Sequence, residues 1–226
     1  MKCRPAIFSS DSINAILQRH KTKTRRVIIP QPYDWCKQVL PAPVEDYGKE
    51  GEWIQSTGAN DHYKLLGLGT KCPYGAVGDK LWVREAFCIE IVDGVPRIAW
   101  KADKCASYLM NKIEETKVIG EKFYLPSDYQ PKEKWKSPRF MPRWACRITL
   151  KVTEVRAERL FDITNADIRA EGITAHHPVR RSDQIPTSRS AFARHWDTLN
   201  KPRGFGWDAN PWVWVVSFMM DYEEES

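Results

Sequence analysis

The chain has 226 residues, 42% hydrophobic and 28% charged, which excludes a disordered chain and allows one large domain or a smaller one enlarged by insertions. Lys plus Arg is 35 against 29 Asp plus Glu, a net charge of +6; four acids in residues 221–226 leave +10 on the first 220, a balance that favours a polyanionic partner. The longest apolar stretch, Trp212 to Met220, has nine residues where a membrane helix needs about 20, so no membrane partner is expected.

Ala6 to Phe8 reads as a short strand. Ser9, Ser10 or Asp11 can cap the helix that follows, with Ile13, Ile16 and Leu17 on one face. That helix ends in Arg19-His-Lys-Thr-Lys-Thr-Arg-Arg26, five bases and no acid in eight positions, and Val27 to Ile29 reads as a strand. Four prolines between 30 and 43 bar a regular helix, and the stretch to about 76 reads as an irregular insertion. Leu81 to Ile91 is a strand, Asp93-Gly94 a hairpin turn, and Arg97 to Lys101 the return strand. Residues 103–140 form a second insertion with a short helix expected around Leu109 to Glu115.

Further along, Cys146 to Arg156 alternates as a strand does, with Ile148, Leu150 and Val152 on one side. Thr164-Asn-Ala-Asp167 resembles a capping box, opening a short helix through Glu171 to a stop at Gly172. A polar loop over 173–187 precedes a helix from Ser188 to Leu199, and Trp212 to Met220 is apolar on both faces, as a central strand is. The sum is an α+β chain of about six strands and three helices, and short strands with helices at their ends favour a small closed or partly closed barrel.

Six cysteines at positions 3, 36, 72, 88, 105 and 146 form no CxxC pair. With no secretory or transit pattern at the N-terminus, reduced thiols in a cytoplasmic compartment are the expectation. A zinc site from Cys36, His62, Cys72 and Cys88 would need irregular spacings, so neither metal nor cofactor is expected.

Three constellations carry chemical content. Cations held as closely as those at 19–26 repel one another, so the cluster makes sense when an anion sits among them. Residues 132–151 hold seven bases against Glu133, with Trp135, Phe140 and Trp144 interleaved; cations track phosphates and rings stack bases, which suits a single-stranded nucleic acid. Glu171 stands at a helix C-terminus, where an acid opposes the helix dipole and local propensity gives no reason for it. Glu85 follows Arg84 on a strand, so the two point to opposite faces and one of them points inward.

Lys21, Thr24 and Arg26 match the GxKxxTxR signature of the ASCH family, with Arg19 in place of the opening glycine. The segment Ile163 to Ile173 resembles that family's short helix carrying a carboxylate, and 72–87, 141–150 and 207–218 look like its phage- and prophage-encoded branch. The resemblance runs from residue 1 to about 219. It implies a single PUA-like β-barrel domain, enlarged by insertions at about 30–76 and 103–140 and followed by an acidic tail at 220–226, in a bacterial or phage-infected cell. It also implies RNA- or nucleoside-directed function. Some compact members are amidohydrolases that remove the acyl group from N4-acetylcytidine; others look like ribonucleases or RNA-binding modules.

Carried over, the hydrolase's catalytic residues fall on Lys21, Thr24 and Glu171, with Arg26 beside them. Glu85, Arg143 and Trp144 are further candidate substrate contacts. Two routes are open for amide cleavage: Thr24 attacks with Lys21 as base, or Glu171 activates a water while Lys21 and Arg26 stabilise the oxyanion. The other class of function is a non-catalytic module that binds RNA or single-stranded nucleic acid through the basic body and residues 132–151.

Overall fold

The computed structural model describes residues 1–34, 36–41, 53–56, 71–92, 95–110, 118–124, 131, 134–173 and 188–221. In chain order the elements are β1 (Cys3–Ile7), α1 (Ser10–Leu17), β2 (Lys23–Val27), β3 (Gln38–Pro41), β4 (Trp53–Ser56), β5 (Lys80–Arg84), β6 (Phe87–Val92) and β7 (Val95–Trp100). They continue with β8 (Cys105–Met110), β9 (Val118–Tyr124), β10 (Thr149–Arg159), α2 (Asn165–Ala170), α3 (Ser188–Asn200) and β11 (Trp212–Met220). The chain is mixed α+β, mostly strand with few helices. It divides into two compact units, one of residues 1–19, 80–151 and 220–226, the other of 20–79 and 152–219.

In the first unit β1 runs parallel to β5, Cys3 opposite Lys80 and Ile7 opposite Arg84, and β5 pairs antiparallel with the start of β10. Ser9 caps α1 by accepting the Ser12 N–H, and Ile13 and Ile16 bury its apolar face. A separate four-stranded meander runs β6-β7-β8-β9. Its core gathers Phe87, Ile98, Trp100 and Cys105 with Met141 and Ala145, and the Trp100 indole N–H donates to the Ala145 carbonyl at 3.1 Å.

In the second unit the order is β10-β11-β2, and β3 pairs with β4 in a sheet of their own. Opposed residues of an antiparallel pair share a face. Val213, Val215 and Ser217 of β11 therefore look the same way as Val27, Arg25 and Lys23 of β2. Val213 and Val215 join Leu160, Ile163, Ile168, Phe192 and Trp196 in a core under α2 and α3. Trp214 and Val216 look the other way, with Arg26 and Thr24.

Several expectations change. Among the described residues there are eleven strands, not about six, because the first inserted segment forms the β3–β4 pair, the second adds β8 and β9 to β6 and β7, and the run Leu81 to Ile91 splits in two. Among the described residues each sheet keeps two edge strands, β1 and β2 in the five-stranded one, and none closes into a barrel. The run Leu81 to Ile91 is two strands: the chain leaves β1 and β10 at Glu85-Ala86 and joins β7 from Phe87. Leu109 and Met110, expected in a helix, are the end of β8, paired with Ile119 and Val118. The rest of that expected helix, the turn at 93–94, His62, Lys132, the loop beyond 173 and the tail beyond Asp221 lie outside the described residues. No described helix is long and apolar enough to cross a membrane.

Candidate functional site

In the second unit the basic run is drawn out by β2. Strand alternation sends Lys23 and Arg25 to the face under α2, and Thr24 and Arg26 to the face of Trp214. Just before β2, Thr22 is clamped on both sides: its N–H donates to the Ala170 carbonyl and its carbonyl accepts the Phe218 N–H, each at 2.8 Å. Lys21 thereby lies against Glu171 in an isolated antiparallel bridge.

The acids come from α2 and β10. Thr164 and Asp167 make a reciprocal capping box, so Asp167 closes the first turn while its carboxylate stays on the β2 side. The helix ends in a Schellman turn: Gly172, at φ 77°, donates to the Arg169 carbonyl and Ile173 to that of Ile168. Glu171 is the residue at the cap. Its position against the helix dipole is offset by Lys21, whose Nζ donates to Glu171 Oε2 at 2.6 Å and to the Glu171 carbonyl at 2.9 Å. A single ammonium thus neutralises the carboxylate and caps the helix end.

Around this pair the charges interlock. Arg25 reaches Glu158 at 2.6 Å, Asp167 at 3.1 Å and Glu171 at 3.4 Å; Lys23 reaches Asp167 at 2.9 Å. Arg156 joins from β10, bridging Glu154, Glu158 and Asp167. Lys21, Thr24, Arg25, Asp167 and Glu171 are each less than a tenth exposed. Burial pushes the Lys21 ammonium below its ordinary pKa; Glu171 works against that shift, and Arg26 and Arg25 reinforce it. For Asp167, burial works upward, but hydrogen bonds from Lys23 and Thr164 and the Arg25 charge hold the carboxyl well below the usual carboxylate range.

A lowered carboxylate pKa has a definite consequence for stability. The contribution of Asp167 is complete above its unfolded value of about 4 and is lost as pH falls toward the folded one. Melting temperature measured from pH 5 to 2 is expected to fall in the wild type and to fall less steeply in Asp167→Asn. Equal slopes would remove Asp167 as the linked group.

The structure brings Lys21 and Glu171 into direct contact and sets Thr24 and Arg26 on the other face of β2, Arg26 over the Tyr74 ring at 5.6 Å. Glu85, Arg143 and Trp144 belong to the first unit. There Glu85 is the inward residue of its pair, 2% exposed and held by two hydrogen bonds from Arg147; Arg84 lies over the Trp82 ring. An Arg143 guanidinium nitrogen lies 2.7 Å from the Cys3 sulfur, and Trp144 packs half-buried against the core around Phe87.

Sequence reasoning had Lys23 and Arg25 as members of the basic run and missed Glu158, Arg156 and the second role of Asp167. A usable signal was parity: Lys23 and Arg25 are two apart on β2, and Glu154, Arg156 and Glu158 are two apart on β10, so each set shares a face. Among the described residues no group of three His, Cys, Asp or Glu is placed to hold a metal ion, and no cysteine forms a disulfide. Compared with family models, curated proteins and solved structures, the chain matches none, so the reading of the site rests on its own residues and geometry.

Proposed function

We propose that this chain is an amidohydrolase of the ASCH type that removes the acyl group from N4-acylated cytosine, as a nucleoside or within RNA. The observation that carries the reading is the buried Lys21–Glu171 pair among further cations. Water adds to the acyl carbonyl carbon and gives one proton to Glu171; the C–N4 bond then breaks, Glu171 returns that proton to N4, and cytidine leaves with the carboxylic acid, which releases its remaining proton to solvent. The Lys21 ammonium stands beside Glu171, where it can stabilise the oxyanion of the tetrahedral intermediate.

Of the two routes, this one is supported by the hydrogen bonds of Lys21. Both go to Glu171, while Thr24 looks to the opposite face from Lys23 and Arg25. The PUA-like barrel implied by the ASCH resemblance belongs to the same proposal and draws no support from the open sheets. The test is incubation of the purified full chain with N4-acetylcytidine, following cytidine by absorbance and acetate by mass. Release of both is expected, and no turnover would overturn the reading.

One observation favours the binding reading for the first unit. Phe140 is 71% exposed between exposed Arg139, Lys136, Lys134 and Arg143, whereas Trp144 is packed inward. An exposed ring among cations is a stacking platform for single strands, worth about 1–3 kcal/mol per base. Phe140→Ser is expected to weaken single-stranded oligonucleotide binding roughly 5- to 100-fold at fixed salt. Unchanged affinity, or affinity indifferent to salt, would remove this surface from consideration.

A further inference from the structure

Arg25 is the most enclosed cation of the charge network in the second unit, its side chain 1% exposed, and no step of the proposed hydrolysis uses it. Shut off from solvent, it can act on chemistry through another side chain and not by touching a substrate.

Its contacts are unequal. Nε and Nη2 both donate to Glu158 Oε1, at 3.1 and 2.6 Å, and Nη2 also lies 3.1 Å from Asp167 Oδ2. Glu158 is fixed in turn by Arg156, whose Nε donates to its other oxygen at 3.0 Å. With one edge of the planar fork held in this way, the remaining nitrogen, Nη1, is turned to Glu171 Oε1 at 3.4 Å. Glu158 and Asp167 alone would satisfy Arg25 as a structural ion pair. The third carboxylate is what the fork adds.

The two oxygens of Glu171 differ as a result. Oε2 accepts the Lys21 ammonium at 2.6 Å, a full charge-assisted bond, while the Arg25 contact at Oε1 is longer than the roughly 2.7–2.9 Å of such a bond. An oxygen held that loosely keeps a lone pair for a proton, and a cation that near still favours the ionised form. Across the network Lys21, Lys23, Arg25 and Arg156 balance Glu154, Glu158, Asp167 and Glu171, so losing Arg25 leaves the set one cation short.

We propose that Arg25 is a positioning residue for Glu171: anchored by Glu158, it aims at Oε1 and its charge holds that oxygen ready to take the proton of the attacking water. No proton passes through Arg25 itself. This role rests on the hydrolase reading, to which it adds the oxygen that moves the proton and the group that sets it. The charged groups around the Glu171 carboxylate are Lys21 and Arg25 from the β2 side, Asp167 from α2 and, behind Arg25, Glu158 and Arg156 from β10; Arg26 lies on the other face of β2.

The experiment compares Arg25→Gln with Glu158→Gln in the full chain by two readouts. One is kcat/KM for N4-acetylcytidine against pH, whose acid limb reports the base of the free enzyme. The other is the NMR shift of the Glu171 carboxyl carbon against pH, assigned by its absence from Glu171→Gln. Arg25→Gln removes a positive charge beside Oε1, so both midpoints are expected to move up by about 1 pH unit or more. Glu158→Gln removes the negative charge that offsets Arg25, so both are expected to move down. Arg25→Lys keeps the charge and loses the fork; its midpoints are expected near wild type, with kcat several-fold lower and KM nearly unchanged.

A loosened structure would not move the two glutamine variants in opposite directions. Shifts of the same sign, no shift, or wild-type kcat in Arg25→Lys would overturn the proposal. If Arg25→Gln fails to fold, Glu158→Gln carries the test, since it strands no carboxylate, and a midpoint that does not move down would overturn it. A wild type without turnover overturns the hydrolase reading. The carboxyl titration needs no substrate and still decides for or against the hold of Arg25 on Glu171.

Discussion

Glu171→Gln is expected to lower kcat for N4-acetylcytidine by about 10²- to 10⁴-fold, with KM nearly unchanged, since general acid–base catalysis contributes that much and the amide cannot move the proton. The substitution keeps the side-chain length and an oxygen for the Lys21 ammonium, which otherwise loses its 2.6 Å carboxylate partner in a buried setting. Breaking a buried pair outright costs about 3–5 kcal/mol. Glutamine is expected to cost less, because Lys21 Nζ also keeps the Glu171 backbone carbonyl at 2.9 Å. Lys21→Ala lacks that safeguard. It leaves Glu171, among its described cationic partners, with the 3.4 Å contact from Arg25, and is expected to lose both stability and turnover. A kcat split from KM, in a variant whose melting temperature stays near wild type, separates a proton-transfer role from a structural one. Thr24→Val decides between the two routes: a loss as large as that of Glu171→Gln would return the nucleophile to Thr24, and a small change would leave it with water. Wild-type kcat in Glu171→Gln would remove Glu171 from the chemistry altogether.

What the sequence makes legible here is local, and what it hides is tertiary. The capping box at Thr164 and Asp167, the stop at Gly172 and the long apolar strand Trp212–Met220 are written in adjacent residues, and each is found where local rules put it. Glu171 could be singled out because it opposes a helix dipole; its partner Lys21, 150 positions earlier, is found only from the fold. Periodicity also does not say which sheet a strand joins. Leu81 to Ile91 reads as one strand, yet β5 pairs with β1 and β10 while β6 pairs with β7 and, at Phe87, with Lys136. Prolines between 30 and 43 bar a helix correctly but not an edge strand, and β3 ends on Pro41, paired with Trp53. Of the rings interleaved with the bases at 132–151, residue type does not say which is exposed: Phe140 is 71% exposed, while Trp144 packs half-buried against the core around Phe87.

Arg147→Met is expected to cost the first unit about 3–5 kcal/mol. At about 2–4 °C per kcal/mol for a chain of this size, that is a fall of roughly 10 °C in melting temperature. The guanidinium donates to both oxygens of Glu85 at 2.8 and 2.9 Å and to both oxygens of Asp103 at 2.8 Å, and lies over the Trp100 ring at 4.8 Å. Burial works to lower its pKa, and the hydrogen bonds and charges of the two carboxylates more than reverse that, so it stays a cation. Its removal leaves Glu85, 2% exposed, as a carboxylate with no cation among its described partners; burial already pushes that carboxyl above its usual range against the pull of Arg147. Lysine cannot replace the fork: one ammonium cannot hold two carboxylates bidentately or stack flat on an indole, so Arg147→Lys is expected to recover little. Neutralising the partner should recover more. In the double variant Arg147→Met with Glu85→Leu, the more buried of the two stranded carboxylates is gone and Asp103, its side chain 16% exposed, is the one that has lost its cation, so the melting temperature is expected above that of Arg147→Met alone. A single variant within 2 °C of wild type, or a double variant less stable than the single, would show that the Glu85–Arg147–Asp103 triad does not hold this unit together. The sign of that difference also bears on function. A double variant more stable than the single makes Glu85–Arg147 a contact whose loss harms by stranding charge, and the Lys21–Glu171 pair of the second unit is then the charged pair to test for chemistry.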